Sequence, residues 1–155
     1  MQADESARTQ ALEHLGAFLG VWEEQVAFPD TPPIDVRGRT VFEWALGGQF
    51  LLQRSEFPHP DFPDSIAIIA VDPSGQGYTQ HYFDSRGVVR VYAMGFRDGI
   101  WTLVRNAPDF TPLGFSQRFT GTFADDGNAI NGAWETSNDG VGWEHGFDLT
   151  YTKVT

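Results

Sequence analysis

The residues of this chain that could do chemistry are polar side chains set at every second position of otherwise apolar runs. Glu24 shares such a row with Trp22, Val26 and Phe28. Arg54 follows Phe50 and Leu52, and Arg105 follows Trp101 and Leu103. Gln117 stands between Phe115 and Phe119, and His145 between Trp143 and Phe147, with Leu149 and Tyr151 beyond. The run from Tyr78 to Phe83 is mixed on both faces, so the sequence leaves open whether His81 or Tyr82 belongs to the buried one. A polar group on a buried face costs free energy unless something pairs with it. A few of them converging in an aromatic-lined interior describe a small-molecule site.

Each of these residues has two readings. Arg54, Arg105, Gln117 and His145 could hold the polar or anionic group of a ligand, with Trp44, Trp101, Phe119, Trp143 and Tyr151 lining its apolar part. Equally, either arginine could pair with Glu56 or Glu24 and stiffen the wall, and His145 and Gln117 could be hydrogen-bonded structural residues. Buried and unpaired, Glu24 would have a raised pKa and serve as a general base. His81, Tyr82 or Glu24 would be the acid or base of an enzyme working inside the fold, such as a cyclase, isomerase or hydratase.

Other chemistries lack their residues. There is no cysteine, which excludes disulfides, zinc–thiolate sites and a thiol nucleophile. The glycine-rich stretch 72–77 leads into a strand-like run, not a helix that could cradle phosphate. His14 and His59 are separated from the other two histidines, and no metal site is expected. Asn138-Asp139-Gly140 has a fragment of a calcium loop without the rest of the pattern and reads as a turn.

The elements that must position these residues are mostly strands. Only Ala11, Leu12, Leu15, Phe18 and Leu19 recur at helical spacing, which predicts a helix over 6–19 ended by Gly20. Aromatic and β-branched runs then predict strands at 21–28, 35–46, 49–57, 65–71, 78–83, 88–96, 100–106, 115–124, 129–137 and 143–154. The connections are turn clusters, several with Asp-Gly or Gly-Gly, and none can hold a crossover helix. Consecutive strands should therefore pair antiparallel and close into a ten-stranded up-and-down barrel spanning 21–154. Successive connections fall at alternate ends, so the three long proline-bearing loops, 29–34, 58–64 and 107–114, share one rim. Phe62 and Phe110 are the lid residues of that mouth, and the helix closes the base. Ten strands leave room for a ligand inside.

Composition bounds the partners. The 155 residues carry Lys+Arg 10 against Asp+Glu 21, a net charge of −11, with 14% aromatic content. A chain of this size makes one domain with a sizeable core. Nucleic acid and anionic membrane surfaces require a basic face, which this balance argues against. No apolar run is long enough to span a bilayer, and the polar start, Met1 to Gln10, has no signal pattern. The expectation is a soluble cytoplasmic domain that takes a small apolar or amphipathic molecule, with a homodimer through the outer sheet left open.

Several motifs together resemble one family. The helix leads into Leu19-Gly20-Val21-Trp22-Glu23, a Gly-x-Trp start typical of calycin and lipocalin-like barrels. Glu43-Trp44-Ala45-Leu46-Gly47-Gly48, Tyr82-Phe83-Asp84-Ser85-Arg86-Gly87 and Ala107-Pro108-Asp109-Phe110 follow, then Gln117 to Phe123 and Trp134-Glu135 through Asp139-Gly140 to Trp143-Glu144 and Tyr151. Over roughly 15–154 this is similar to the bacterial DUF1579 family of uncharacterised lipocalin-like β-barrels. That resemblance implies a barrel and no established reaction. A more distant likeness is to nitrobindin, whose ten-stranded barrel binds haem through a histidine on its last strand. Here that position falls near Asp148, three residues from His145 and so on the opposite face, which counts against haem. No cofactor is expected.

Overall fold

The structure is a computed structural model that describes residues 2–28, 37–73, 75, 77–109 and 114–155. It opens with α1, Gln2–His14, and a single 3₁₀ turn, Leu15–Phe18. Ten strands follow: β1 Gly20–Ala27, β2 Arg37–Ala45, β3 Phe50–Glu56, β4 Ser65–Val71, β5 Tyr78–Asp84, β6 Val89–Arg97, β7 Ile100–Arg105, β8 Ser116–Phe123, β9 Ala129–Ser137 and β10 Glu144–Lys153. Each pairs antiparallel with its sequence neighbours, and β10 returns to β1, so the sheet is a closed barrel. The ten expected strands are all present, with ends within two residues of expectation. The Asp98-Gly99 turn has φ of 54° and 76°, the left-handed pair that joins two strands in the fewest residues. Among the described residues no helix is long and apolar enough to cross a membrane.

The helical segment differs from the 6–19 expectation. It starts earlier, and its last turn tightens to 3₁₀. In that geometry residues three apart eclipse each other. Leu15 and Phe18 therefore point the same way, and both are fully buried in the base of the barrel. The Phe18 ring meets Phe42, Phe96, Trp101 and Phe123 with centroids 4.8 to 5.2 Å away. Its carbonyl accepts the Trp22 indole N–H at 2.8 Å, and the Tyr78 hydroxyl donates to the Ala11 carbonyl at 2.8 Å. These contacts come from strand ends at one end of the barrel, so the helix does close the base.

Just above that floor the interior is solid. Trp101 and Phe119 are buried side by side, with centroids 4.9 Å apart. The Trp101 indole N–H has no acceptor among the described residues, and its ring stands edge-on to Phe18. Phe119 lies over Gly121 and Gly132, which face each other on β8 and β9, and a Cβ on either would overlap its ring. Gly132→Ala should therefore destabilise the fold by about 1–3 kcal/mol through overpacking. A fall in the urea midpoint at unchanged m-value is the expected result; an unchanged midpoint would mean the ring can move aside.

Candidate functional site

A cavity of about 360 Å³ occupies the mouth half of the barrel. Three inward phenylalanines gather at its rim. Phe62, from the loop between β3 and β4, lies 6.1 Å from Phe28 and 5.5 Å from Phe57 between ring centroids. The loop is pinned by the Phe57 amide donating to Asp64 Oδ1 at 2.9 Å and by the Asp64 amide donating to Ser85 Oγ at 3.1 Å. Asp61, Phe62 and Pro63 thus line the opening, as the loop-end count anticipated. The other two rim segments, 29–34 and the part of 107–114 that carries Phe110, lie outside the described residues wholly or at their centre.

The walls are Val26, Tyr82, Tyr92, Leu103, Trp134, Phe147, Leu149 and Tyr151, resting on Trp101 and Phe119. Into this apolar lining the strands direct a short set of polar groups: Glu24, Gln53, Ser55, Gln80, Arg90 and Gln117. Glu24 is 5% exposed and lies opposite Tyr151 in the β1–β10 ladder. Thr40 Oγ1 donates to Glu24 Oε2 at 2.6 Å and lies 2.8 Å from Ser55 Oγ. The hydroxyls of Tyr151 and Ser55 also bond the carboxyl. Gln80 Nε2 donates to Gln53 Oε1 at 3.3 Å, and the Gln53 amide bonds the Tyr151 hydroxyl in turn. Burial pushes the Glu24 pKa above its ordinary value, against the opposing pull of Thr40, Tyr151 and Ser55. Burial, then the Glu24 carboxyl, raises Tyr151. Among the described residues no Lys, Arg or His forms an ion pair with Glu24.

At the mouth, Arg90 is the second residue of β6 and bonds the Tyr92 hydroxyl, which in turn lies 3.4 Å from Gln117 Oε1. Arg90 has no carboxylate partner among the described residues. Arg86, also at the opening, is held by Asp84 at 2.7 Å.

Several sequence expectations are met. Glu24, Tyr82, Gln117, Trp101, Phe119 and Tyr151 all line the cavity. The rest are corrected. Arg54 lies on the outer wall, its side chain 46% exposed and 3.6 Å from Glu43. The apolar face it shares with Phe50 and Leu52 is the outside one, and the inward row is Leu51, Gln53 and Ser55. Arg105 does face inward but is not free to hold a ligand anion. Its Nε and Nη2 donate to Asp109 at 2.8 and 3.0 Å, and the Asp109 carboxylate also takes the Val91 amide.

His145 fails for a different reason. Gly146 is skipped in the β9–β10 register, so Phe147 faces in while His145 faces out, although they are two residues apart. His145 Nε2 sits on the surface 2.8 Å from Asp148 Oδ1. Trp143 stands outside too, stacked at 4.2 Å under the Arg118 guanidinium. Trp44, at the far end of β2 from the mouth, is 37% exposed and takes no part in the cavity. His81 lies on the outer face opposite Ile68, which removes it as an acid or base in the cavity. None of the four histidines lines the cavity, and Asp148 is also on the surface, so an imidazole-held haem does not fit these residues. Tyr82 does line it, but its hydroxyl donates to Asp84 at 2.9 Å, and burial with that carboxylate lifts its pKa far from neutrality.

The residues that sequence reasoning missed are Gln53, Ser55, Gln80, Tyr92, Trp134 and Arg90. Arg90 carried the same signal as the others: it alternates with Tyr92, Met94 and Phe96 along one face of β6.

Two variants test the placement of the arginines. Asp109→Ala removes the carboxylate bonded by two nitrogens of the buried Arg105 and should cost about 3–5 kcal/mol. Arg54→Gln loses only an exposed pair and should stay within about 0.5 kcal/mol of wild type. Comparable costs in urea unfolding would contradict the two placements. A third variant tests the carboxyl. The folded state holds the Glu24 pKa above its reference of 4.5 and so favours the protonated form. The stability contributed by Glu24 is complete below that reference and is lost as pH rises through the folded value. Glu24→Gln should match wild type near pH 4 and be more stable by about 1 kcal/mol near pH 8. A stability difference that does not grow with pH would refute burial of an uncompensated acid.

No family model matches the chain, and no curated protein matches it. Among solved structures, the chain is similar to Rv2717c from M. tuberculosis at 16% identity, with 94% of this chain and 98% of that chain covered and a TM-score of 0.62. A protein of unknown function of the DUF3598 family from Nostoc punctiforme aligns at 11% identity over 93% of this chain and 99% of that chain, but its TM-score of 0.29 carries no argument. The likeness to Rv2717c is one of fold: a shared barrel does not transfer chemistry.

Proposed function

We propose that the barrel binds a small, largely apolar molecule in its mouth half, with an anionic or polar group turned toward Arg90 and Gln117. The observation that carries this reading is the cavity itself: an opening of about 360 Å³, walled by aromatic rings, with a few polar groups directed into it. Its size falls in the usual small-molecule range of about 300–1,000 Å³. Arg90 adds direction, because a cation at an apolar opening without a carboxylate partner attracts an anion. The net charge of −11 opposes long polyanions, yet it leaves room for one small anionic group at a locally basic rim.

The catalytic alternative draws less from the site. Of its three candidates His81 is outside, Tyr82 is tied to Asp84, and only Glu24 stands in the cavity available for proton transfer. Membership of the DUF1579 family stays a proposal as well, supported by the Trp44-Ala45-Leu46-Gly47-Gly48 and Ser137 to Glu144 motifs.

Calorimetric titration with hexanoate and hexan-1-ol tests the binding reading, beside native mass spectrometry of fresh protein for a retained ligand. Both probes should bind, with hexanoate weakened about 5–10-fold in Arg90→Gln and unchanged in the outer-wall control Arg54→Gln. Uptake of neither probe would overturn it.

A further inference from the structure

Glu24 presents a charge problem that the chain does not solve by itself. A buried carboxylate ordinarily has a cationic partner, because hydrogen bonds alone compensate poorly for lost water. Here the hydrogen bonds converge on the carboxyl. Gln80 donates to Gln53, Gln53 to Tyr151, and Tyr151 to Glu24; from the other side Thr40 donates, and Ser55 Oγ lies within hydrogen-bond reach of both Thr40 Oγ1, at 2.8 Å, and the carboxyl. Every chain of donors ends on the carboxyl, which is the arrangement that suits the ionised form. Hydroxyl donors thus fill acceptor positions of the carboxyl. Among the described residues no positive charge pairs with it, and the carboxyl borders the cavity.

Two further features suit a cation there. The rings around the cavity include Tyr151, Trp101, Phe119, Trp134 and Tyr92, and an aromatic ring face stabilises a desolvated ammonium. The chain's net charge of −11 also draws small cations toward it.

We propose that the deep end of the cavity is an ammonium site, and that the ligand is an amphipathic primary amine whose charged nitrogen pairs with Glu24. This rests on the cavity-binding reading and adds a second polar end to the ligand: the amine lies deep, the anionic or polar group lies at Arg90, and apolar carbon spans the rings between them. Tyr151, Thr40 and Ser55 are positioning residues that hold the carboxylate, while Glu24 makes the contact.

The test compares three probes with the same six-carbon tail, hexylamine, hexan-1-ol and hexanoate, by calorimetry at neutral pH. Hexylamine should bind about 10-fold or more tightly than hexan-1-ol in wild type. Glu24→Gln should abolish that preference while leaving hexan-1-ol affinity as it was. Arg54→Gln, on the outer wall and away from the cavity, should retain the preference, and intact hexan-1-ol binding by Glu24→Gln guards against a folding defect in that variant. Equal affinity for amine and alcohol in wild type, or a preference that survives Glu24→Gln, overturns the ammonium site while the cavity reading stands. Failure of all three probes overturns both.

Discussion

The barrel depends on the pairing of β1 with β10. Every other strand pair joins sequence neighbours, but Trp22 meets Lys153 across nearly the whole chain. No turn sets that register. It is set by which side chains can face inward: Trp22 at the floor, Glu24 opposite Tyr151, Val26 opposite Leu149. A slip of one residue would exchange these for Glu23, Gln25 and Ala27, placing polar groups where the core needs bulk. The last residues hold the register from outside, since the Val154 amide donates to the Val21 carbonyl at 2.7 Å and the Val21 amide to the Thr155 carbonyl at 3.1 Å. The contact that closes the barrel is therefore also the one that brings Glu24 and Tyr151 together.

The same residue-by-residue alternation explains why the barrel is filled at one end and hollow at the other. At the base the inward residues are Phe42, Phe96, Trp101, Phe119 and Phe123, and the 3₁₀ turn adds Leu15 and Phe18 to the space that remains. Gly121 and Gly132 take no space, which lets the Phe119 ring lie flat against the sheet there. Toward the mouth, β3 and β4 turn in only Gln53, Ser55, Ser65 and Ala67. Side chains this small cannot meet the opposite wall. A closed ten-stranded sheet has a fixed width, so the volume they leave empty is the cavity.

The architecture was legible in the sequence because it rests on local signals. Turn clusters mark every connection, and counting them in order assigns each long loop to one end. The faces of the strands were harder to read, for a reason that β3 and β10 show. On β3 the more apolar face is the outer one: Leu52 sits beside the exposed Ile68, and Arg54 beside the exposed Ile66. The rule that apolar residues face inward fails when the interior is a polar-studded cavity and the outer wall carries an apolar row. On β10 the rule was sound but the count was not, since one skipped glycine reverses the parity of everything before it. A bulge leaves little trace in a single sequence beyond the glycine itself. The ion pair of Arg105 with Asp109 was equally hidden, because it depends on where a loop returns and not on either residue's strand.

The interior network departs from what stability alone would favour. A well-packed apolar side chain in place of a buried carboxyl usually leaves a fold as stable or more so, and Glu24 has β-branched and aromatic neighbours that could accommodate one. Instead β1, β2, β3, β5 and β10 each contribute a polar side chain to the cluster around it: Glu24, Thr40, Gln53 and Ser55, Gln80, and Tyr151. Satisfying one acid from four other strands is a large structural commitment, and among the described residues it leaves the carboxyl without a cationic partner. Elsewhere the chain pairs its partly buried carboxylates with arginine, as in Asp84 with Arg86, Asp109 with Arg105 and Glu135 with Arg118. The exception stands at the wall of the cavity, hydrogen-bonded but with no arginine, lysine or histidine beside it among the described residues. Local rules broken without compensation inside the fold are the expected mark of a group kept for what it binds.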